Sequence, residues 1–124
     1  MKYEHAKLAP PYRVLVLVSA TRGWYDATTV EREQSALPRF AGWLARWEEA
    51  GARLLSSFDD DVLMAGEPGR GQPSIYLCYE TPSLELVAEQ MQEVREEVDG
   101  ARLDRWLRFE ARVGRALFVA SDFR

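Results

Sequence analysis

Apolar positions along this chain change their period several times, and each change marks an element. Residues 12–20 are apolar on both faces and carry β-branched valine at alternate positions, the pattern of a central strand covered on both faces. The stretch before it ends in Pro10 and Pro11. Proline disfavours helix in the residue before it, so residues 1–11 are expected to be an extended leader. Residues 21–27 carry Trp24 and Tyr25 but no period, and read as irregular. Thr28 followed three residues later by Glu31 is a capping box. The threonine hydroxyl accepts the Glu31 amide proton and the glutamate reaches back, so a helix starts near Thr29. Pro38 should kink or restart it. Phe40, Trp43, Leu44 and Trp47 then form an apolar stripe at helical spacing, and Gly51 stops the helix.

Residues 53–59 read as a second strand, extendable to Met64. Residues 66–73 are a glycine- and proline-rich hairpin connection, and residues 74–80 a third strand. Ser83 is a natural N-cap. The helix after it turns Leu84, Val87, Met91, Val94 and Val98 inward and ends at Gly100. Residues 105–113 alternate strictly. Leu107, Phe109, Ala111 and Val113 fall on one face, Trp106, Arg108, Glu110 and Arg112 on the other.

The order βαββαβ predicts an α+β domain of the ferredoxin-like kind, spanning residues 12–124 after the leader. Short right-handed connections turn it into a four-stranded antiparallel sheet with both helices on one face. The second sheet face is then bare and, along the first strand, apolar. Such a face marks an interaction site, and a symmetric pairing of two sheets in a homodimer is the economical way to cover it.

Charge narrows the classes of partner. The formal net charge is -4, with Arg and Glu interspersed, whereas nucleic-acid binders are commonly basic with clustered cations. No nucleic-acid partner is therefore expected. The longest apolar run is far shorter than the roughly 20 residues that cross a bilayer, so no membrane partner is expected either. One cysteine, Cys78, excludes an internal disulfide. With no signal peptide in view, a cytoplasmic location is expected.

The same sparseness limits the chemistry. His5 is the single histidine, too few for a zinc site that needs about three or four protein ligands. A histidine-ligated haem would have to use that one residue, and no cofactor or metal is expected. Cys78 reads as a small buried hydrophobe. Asp59, Asp60 and Asp61 could act in acid-base work, or form a solvated turn. Gly66, Gly69 and Gly71 lie between strands, where no helix N-terminus can cradle phosphate. Glu31 and Arg32 have a sufficient structural reading as cap and surface cation. Trp24 either staples the first helix or, with Tyr25, forms the lip of a pocket between that helix and the sheet.

On the last strand, Arg108 and Glu110 are either an interchain ion pair or, in a cavity, an oxyanion donor and a base. Tyr76 and Tyr79 point to opposite faces, so one hydroxyl should face the helix side. Trp24, Tyr25, Trp43, Tyr76 and Trp106 are candidate walls of a pocket for an aromatic ligand.

Residues 24–32, in which Trp24 is followed seven residues later by Glu31 and Arg32, resemble the signature of darcynin-like proteins, as do Phe58–Asp59 and Phe109–Glu110. Tyr25 and Ala27 depart from that pattern, which tends to carry leucine there. The resemblance implies a dimeric α+β barrel and no established reaction. That barrel is similar to cofactor-free monooxygenases, cyclases and isomerases of bacterial specialised metabolism. The expected function is accordingly a cofactor-independent enzyme acting on an aromatic or polyketide-like molecule by cyclisation, isomerisation, dehydration or oxygenation. Tyr79, Glu110, Arg108 and Asp59 would be its catalytic groups. The alternative is a non-catalytic binding or accessory dimer.

Overall fold

The computed structural model describes residues 9–67 and 73–117. Its strands are β1 (Tyr12–Ala20), β2 (Arg53–Asp59), β3 (Ile75–Thr81), β4 (Glu97–Val98), β5 (Ala101–Arg102) and β6 (Leu107–Gly114). Four of them form an antiparallel sheet in the order β2-β3-β1-β6. β1 lies inside because Val14, Val16 and Val18 offer a wholly apolar face that is 0% exposed. α3 (Leu37–Glu49) and α4 (Leu84–Glu93) cover that face. The ferredoxin-like α+β arrangement expected from element order is the one observed.

The first helical region is built in pieces. α1 (Arg22–Asp26) is a short helical turn where an irregular segment was expected. α2 (Thr29–Glu31) begins at Thr28, whose hydroxyl accepts the Glu31 amide at 3.1 Å. A π-helical stretch, Arg32–Ala36, joins it to α3. Pro38 accounts for this wider turn. Proline has no N–H to donate and its ring clashes with the carbonyl one turn back. The Leu37 N–H bonds the Arg32 carbonyl five residues back, a slip that places Pro38 in the first turn of α3, where a missing N–H costs little. At the other end Gly51 (φ +108) closes a Schellman cap. The Gly51 N–H reaches the Glu48 carbonyl and the Ala52 N–H the Trp47 carbonyl.

α3 meets α4 through polar groups. The Trp43 indole N–H donates to the Gln90 carbonyl at 2.7 Å, and the Gln90 amide donates back to the Trp43 carbonyl at 3.0 Å. Arg39 donates to the Glu93 carbonyl at 2.9 Å and to its carboxylate at 3.4 Å; the Arg46 Nε joins the same carboxylate. These contacts rotate α4. Its buried residues are Leu86, Val87, Gln90 and Glu93, followed by Val94. Leu84 is exposed and Met91 is only partly buried. The helix also ends at Glu93, short of the expected Gly100, because Asp99 (φ 52) and Gly100 (φ 79) turn the chain between β4 and β5. An Asp-Gly pair with both residues at positive φ is a tight hairpin turn.

β2 ends at Asp59 and does not extend to Met64. β6 starts at Leu107, so Trp106 precedes the strand. Its indole is buried rather than on the open face, where Arg108, Glu110 and Arg112 stand exposed. Cys78 also lies on the open side, half-buried opposite Leu15, and not in the core.

Tyr79 faces the helices and stacks on Trp47 at 4.4 Å and 11°. Burial, with the Glu48 charge nearby, pushes its hydroxyl up to about 12.

Two measurements follow from this core. Glu93→Ala leaves Arg39 buried without its carboxylate, and should lower the urea-derived unfolding free energy by about 3–5 kcal/mol. Between pH 10 and 12, Tyr79 ionises in the unfolded chain but stays protonated in the folded one. That contribution is therefore fully present below pH 10 and is lost as pH rises toward 12. Urea melts of Tyr79→Phe across this window should lack that fall.

Candidate functional site

The helix-covered side opens at one end of the sheet into a cleft of about 170 Å³. Val18, Ile75 and Leu107 form its sheet wall, and Ala36, Leu37 and Phe40 its helix wall. Trp24 closes one side. The π-helical slip ahead of Pro38 carries Ala36 and Leu37 onto this wall. Ser19 and Ser74 are the polar residues at its edge, and no ionisable side chain lines it.

Trp24 is held over the cleft by specific contacts. The Arg32 guanidinium donates to the Trp24 carbonyl at 2.9 Å and the Tyr25 carbonyl at 3.2 Å, and lies 4.9 Å above the Trp24 ring. Thr21 ties the start of α1 to the approach to β6, its hydroxyl donating to the Arg105 carbonyl at 2.6 Å. Gly23 lies against the same carbonyl, where an added Cβ would stand 2.1 Å from the oxygen. α1 can therefore pack here only with glycine at that position. Glu31 completes the cluster. Its carboxylate accepts from the Trp106 indole at 3.2 Å and pairs with Arg105 at 3.3 Å. Those partners take the carboxylate across to the start of β6, where the capping box expected it to bond back to its own helix start.

The sequence-derived site residues are dispersed over the molecule. Trp24 lines the cleft, while Tyr25 points away and is 69% exposed. Trp43, Tyr79 and Trp106 are core residues; Trp43 packs on Phe109 at 4.7 Å. Tyr76, Arg108 and Glu110 occupy the opposite, open sheet face with Leu15 and Leu17. There Tyr76 stacks on Phe58 at 4.9 Å and its hydroxyl donates to Asp60 at 2.9 Å. That hydrogen bond is the main reason the Tyr76 hydroxyl is held above its ordinary range. Glu110 pairs with Arg112 at 3.0 Å within the chain. The Asp59 carboxylate accepts the Asp61 amide at 3.2 Å in a local turn.

The four expected catalytic groups are therefore not gathered in one cavity of the single chain. Two residues that shape the cleft are not legible in the sequence. Arg32, which does not line it but holds Trp24 over it, reads as a surface cation, and Leu37 falls outside the aromatic stripe that contains Phe40. Among the described residues, no group of three or more His, Cys, Asp or Glu side chains converges as metal ligands would. His5 lies outside the described residues, as do Gly69 and Gly71. No helix among the described residues is long and apolar enough to cross a membrane.

No protein-family model matches the chain, and none of the curated proteins matches it significantly. Solved structures do. A candidate chlorite dismutase, TA0507, superposes with a TM-score of 0.52 at 24% identity over 86% of this chain. This chain spans only 44% of that one's length. The RPA0582 protein of unknown function from Rhodopseudomonas palustris superposes at 0.55 with 17% identity, covering 91% of this chain and 86% of that one. Its methylated form gives the same TM-score at 16% identity. At these identities the similarity is one of fold, and the chain shares its α+β fold with all three.

Proposed function

We propose that this chain is a small-molecule-binding protein that takes one aromatic ring in the cleft beneath Trp24 and works as a homodimer joined through its open sheet face. The observation that carries the binding reading is the chemistry of the cleft: about 170 Å³, apolar walls and no ionisable lining. An apolar cavity of about 150 Å³ is enough to hold benzene. A ring with small substituents fits here, while a polycyclic ligand is too large. Nothing in the lining can move a proton at neutral pH, which favours binding over catalysis at this place.

The homodimer reading is supported by Leu15, Leu17 and Phe58, apolar residues on a face that neither α3 nor α4 covers. A cytoplasmic location belongs to the same reading.

One arrangement favours a second reading, the cofactor-free cyclase, isomerase or oxygenase that the darcynin-like resemblance implies. Tyr76 and Glu110 flank Leu17 in register on the open face, with Arg108 on the neighbouring row. A partner's sheet laid over them would enclose a phenol, a carboxylate and a guanidinium in one space.

Phenol should quench tryptophan fluorescence saturably, with 2-naphthol much weaker, and Trp24→Ala should weaken phenol at least about tenfold, roughly 1.4 kcal/mol. Equal or tighter naphthol binding would sink the single-ring assignment. Leu17→Glu should convert a dimer to a monomer by light scattering at micromolar concentration; a monomeric parent protein would rule out the pairing. Turnover of any phenolic ketone that disappears in Glu110→Gln would move the function to the second reading.

A further inference from the structure

We infer that the groove between α3 and the β4–β5 hairpin binds a small organic carboxylate. This groove is separate from the cleft under Trp24 and has a volume of about 270 Å³. Arg39 and Arg46 line it, with Ser35 and Gln34 at one end. Pro38, Val98 and Ala101 supply apolar wall.

Three features mark it as a built site. The first is the unmet donor capacity of the two guanidinium groups. Arg46 is tied to Glu93 through Nε alone, its side chain is 39% exposed, and its terminal nitrogens remain open to a second oxyanion. The second is Arg39. Its side chain is 4% exposed, and its Nε–H is buried with no hydrogen-bond partner. That N–H is out of reach of anything in the groove, so what Arg39 offers a ligand is its positive charge beside Arg46. A carboxylate seated on Arg46 would add negative charge beside it.

The third feature is Gly42. Glycine inside a helix is destabilising relative to alanine. Here no backbone strain requires it and no neighbour approaches, since a Cβ built on Gly42 meets nothing within 4 Å. The fold does not need the glycine; as a lining residue of the groove it leaves open space that a bulkier side chain would take up.

The charges around the groove select the ligand. Arg39 and Arg46 face Glu93, which both of them bind, and Asp99 at the hairpin turn. Those four groups balance, so a monoanion is tolerated better than a dianion. The guanidinium fork matches a carboxylate in two parallel hydrogen bonds, and the apolar wall suits a short or single-ring body.

Benzoate, acetate and inorganic phosphate, titrated into the 15N-labelled full chain, test this. Benzoate should shift the Gly42 and Ala101 amides saturably with a millimolar or tighter Kd, acetate should act more weakly, and phosphate should produce no saturable shift. Arg46→Gln should raise the benzoate Kd about tenfold, and Gly42→Val should abolish the shifts. If Gly42→Val fails to fold, Gly42→Ala should fold and bind more weakly. Absence of saturation by about 10 mM benzoate, phosphate binding as tightly as benzoate, or an unchanged Kd in Arg46→Gln would overturn the assignment. Phenol binding beneath Trp24 should survive the Arg46 variant, so failure of one site is distinguishable from failure of the other.

Discussion

The polar clasp between α3 and α4 governs much of the rest of this molecule. Two helices lying on a sheet by apolar contact alone could slide and rotate with little penalty, because hydrophobic attraction has no direction. Here Trp43 and Gln90 exchange hydrogen bonds through indole, amide and backbone, and Glu93 gathers Arg39 and Arg46 one turn further along. Each bond is directional, and leaving any of them unmade in a buried place is costly. The clasp therefore sets the rotation of α4. It thereby decides which residues reach the core and where the β4–β5 hairpin comes to rest against α3.

This explains which parts of the fold were legible in the sequence. β1 was readable to its ends because an apolar run of alternating valine and leucine, bounded by polar residues, permits few other structures. The Thr28 and Ser83 caps were readable because one hydroxyl at one spacing does one job. α4 was misread in rotation and length. An apolar stripe of Leu84, Val87, Met91, Val94 and Val98 fits helical periodicity, yet Gln90 and Glu93 are buried in preference to Leu84. Periodicity assigns polar residues to solvent and has no means of knowing that Arg39 and Trp43 wait on another helix. The Asp99-Gly100 pair, by contrast, is a hairpin signal in the sequence itself, where helical periodicity places only the end of a helix.

The candidate site was less legible for a related reason. Aromatic residues are visible in a sequence, but whether they line a space or fill it depends on packing. Trp43, Tyr79 and Trp106 fill it, and Trp24 lines it. What separates Trp24 from the others is Arg32, which holds the backbone of α1 from a position eight residues away and covers the ring from above. Pro38 acts at the same place. It forces the π-helical slip that brings Ala36 and Leu37 to the cleft, so a residue first read as an interruption shapes the wall.

The two faces of β1 impose different chemistry on the two sides of the sheet. On the helix side, the valine column and the aromatic residues exclude water. A charge there would need a partner as close as Glu93 is to Arg39, and the cleft under Trp24 has none among its lining residues. On the open side, Glu110, Arg112, Arg108 and Tyr76 stand beside Leu15 and Leu17, and water now solvates the charges. Groups that can move protons thus lie where solvent screens them, and the enclosed space has only walls. For this chain to act on a ligand rather than hold it, the open face would have to be enclosed by a second sheet. Pairing would then do more than cover leucines: by removing water it would strengthen every charge on that face. Binding needs only the single chain's cleft, whereas catalysis at this face would need the dimer.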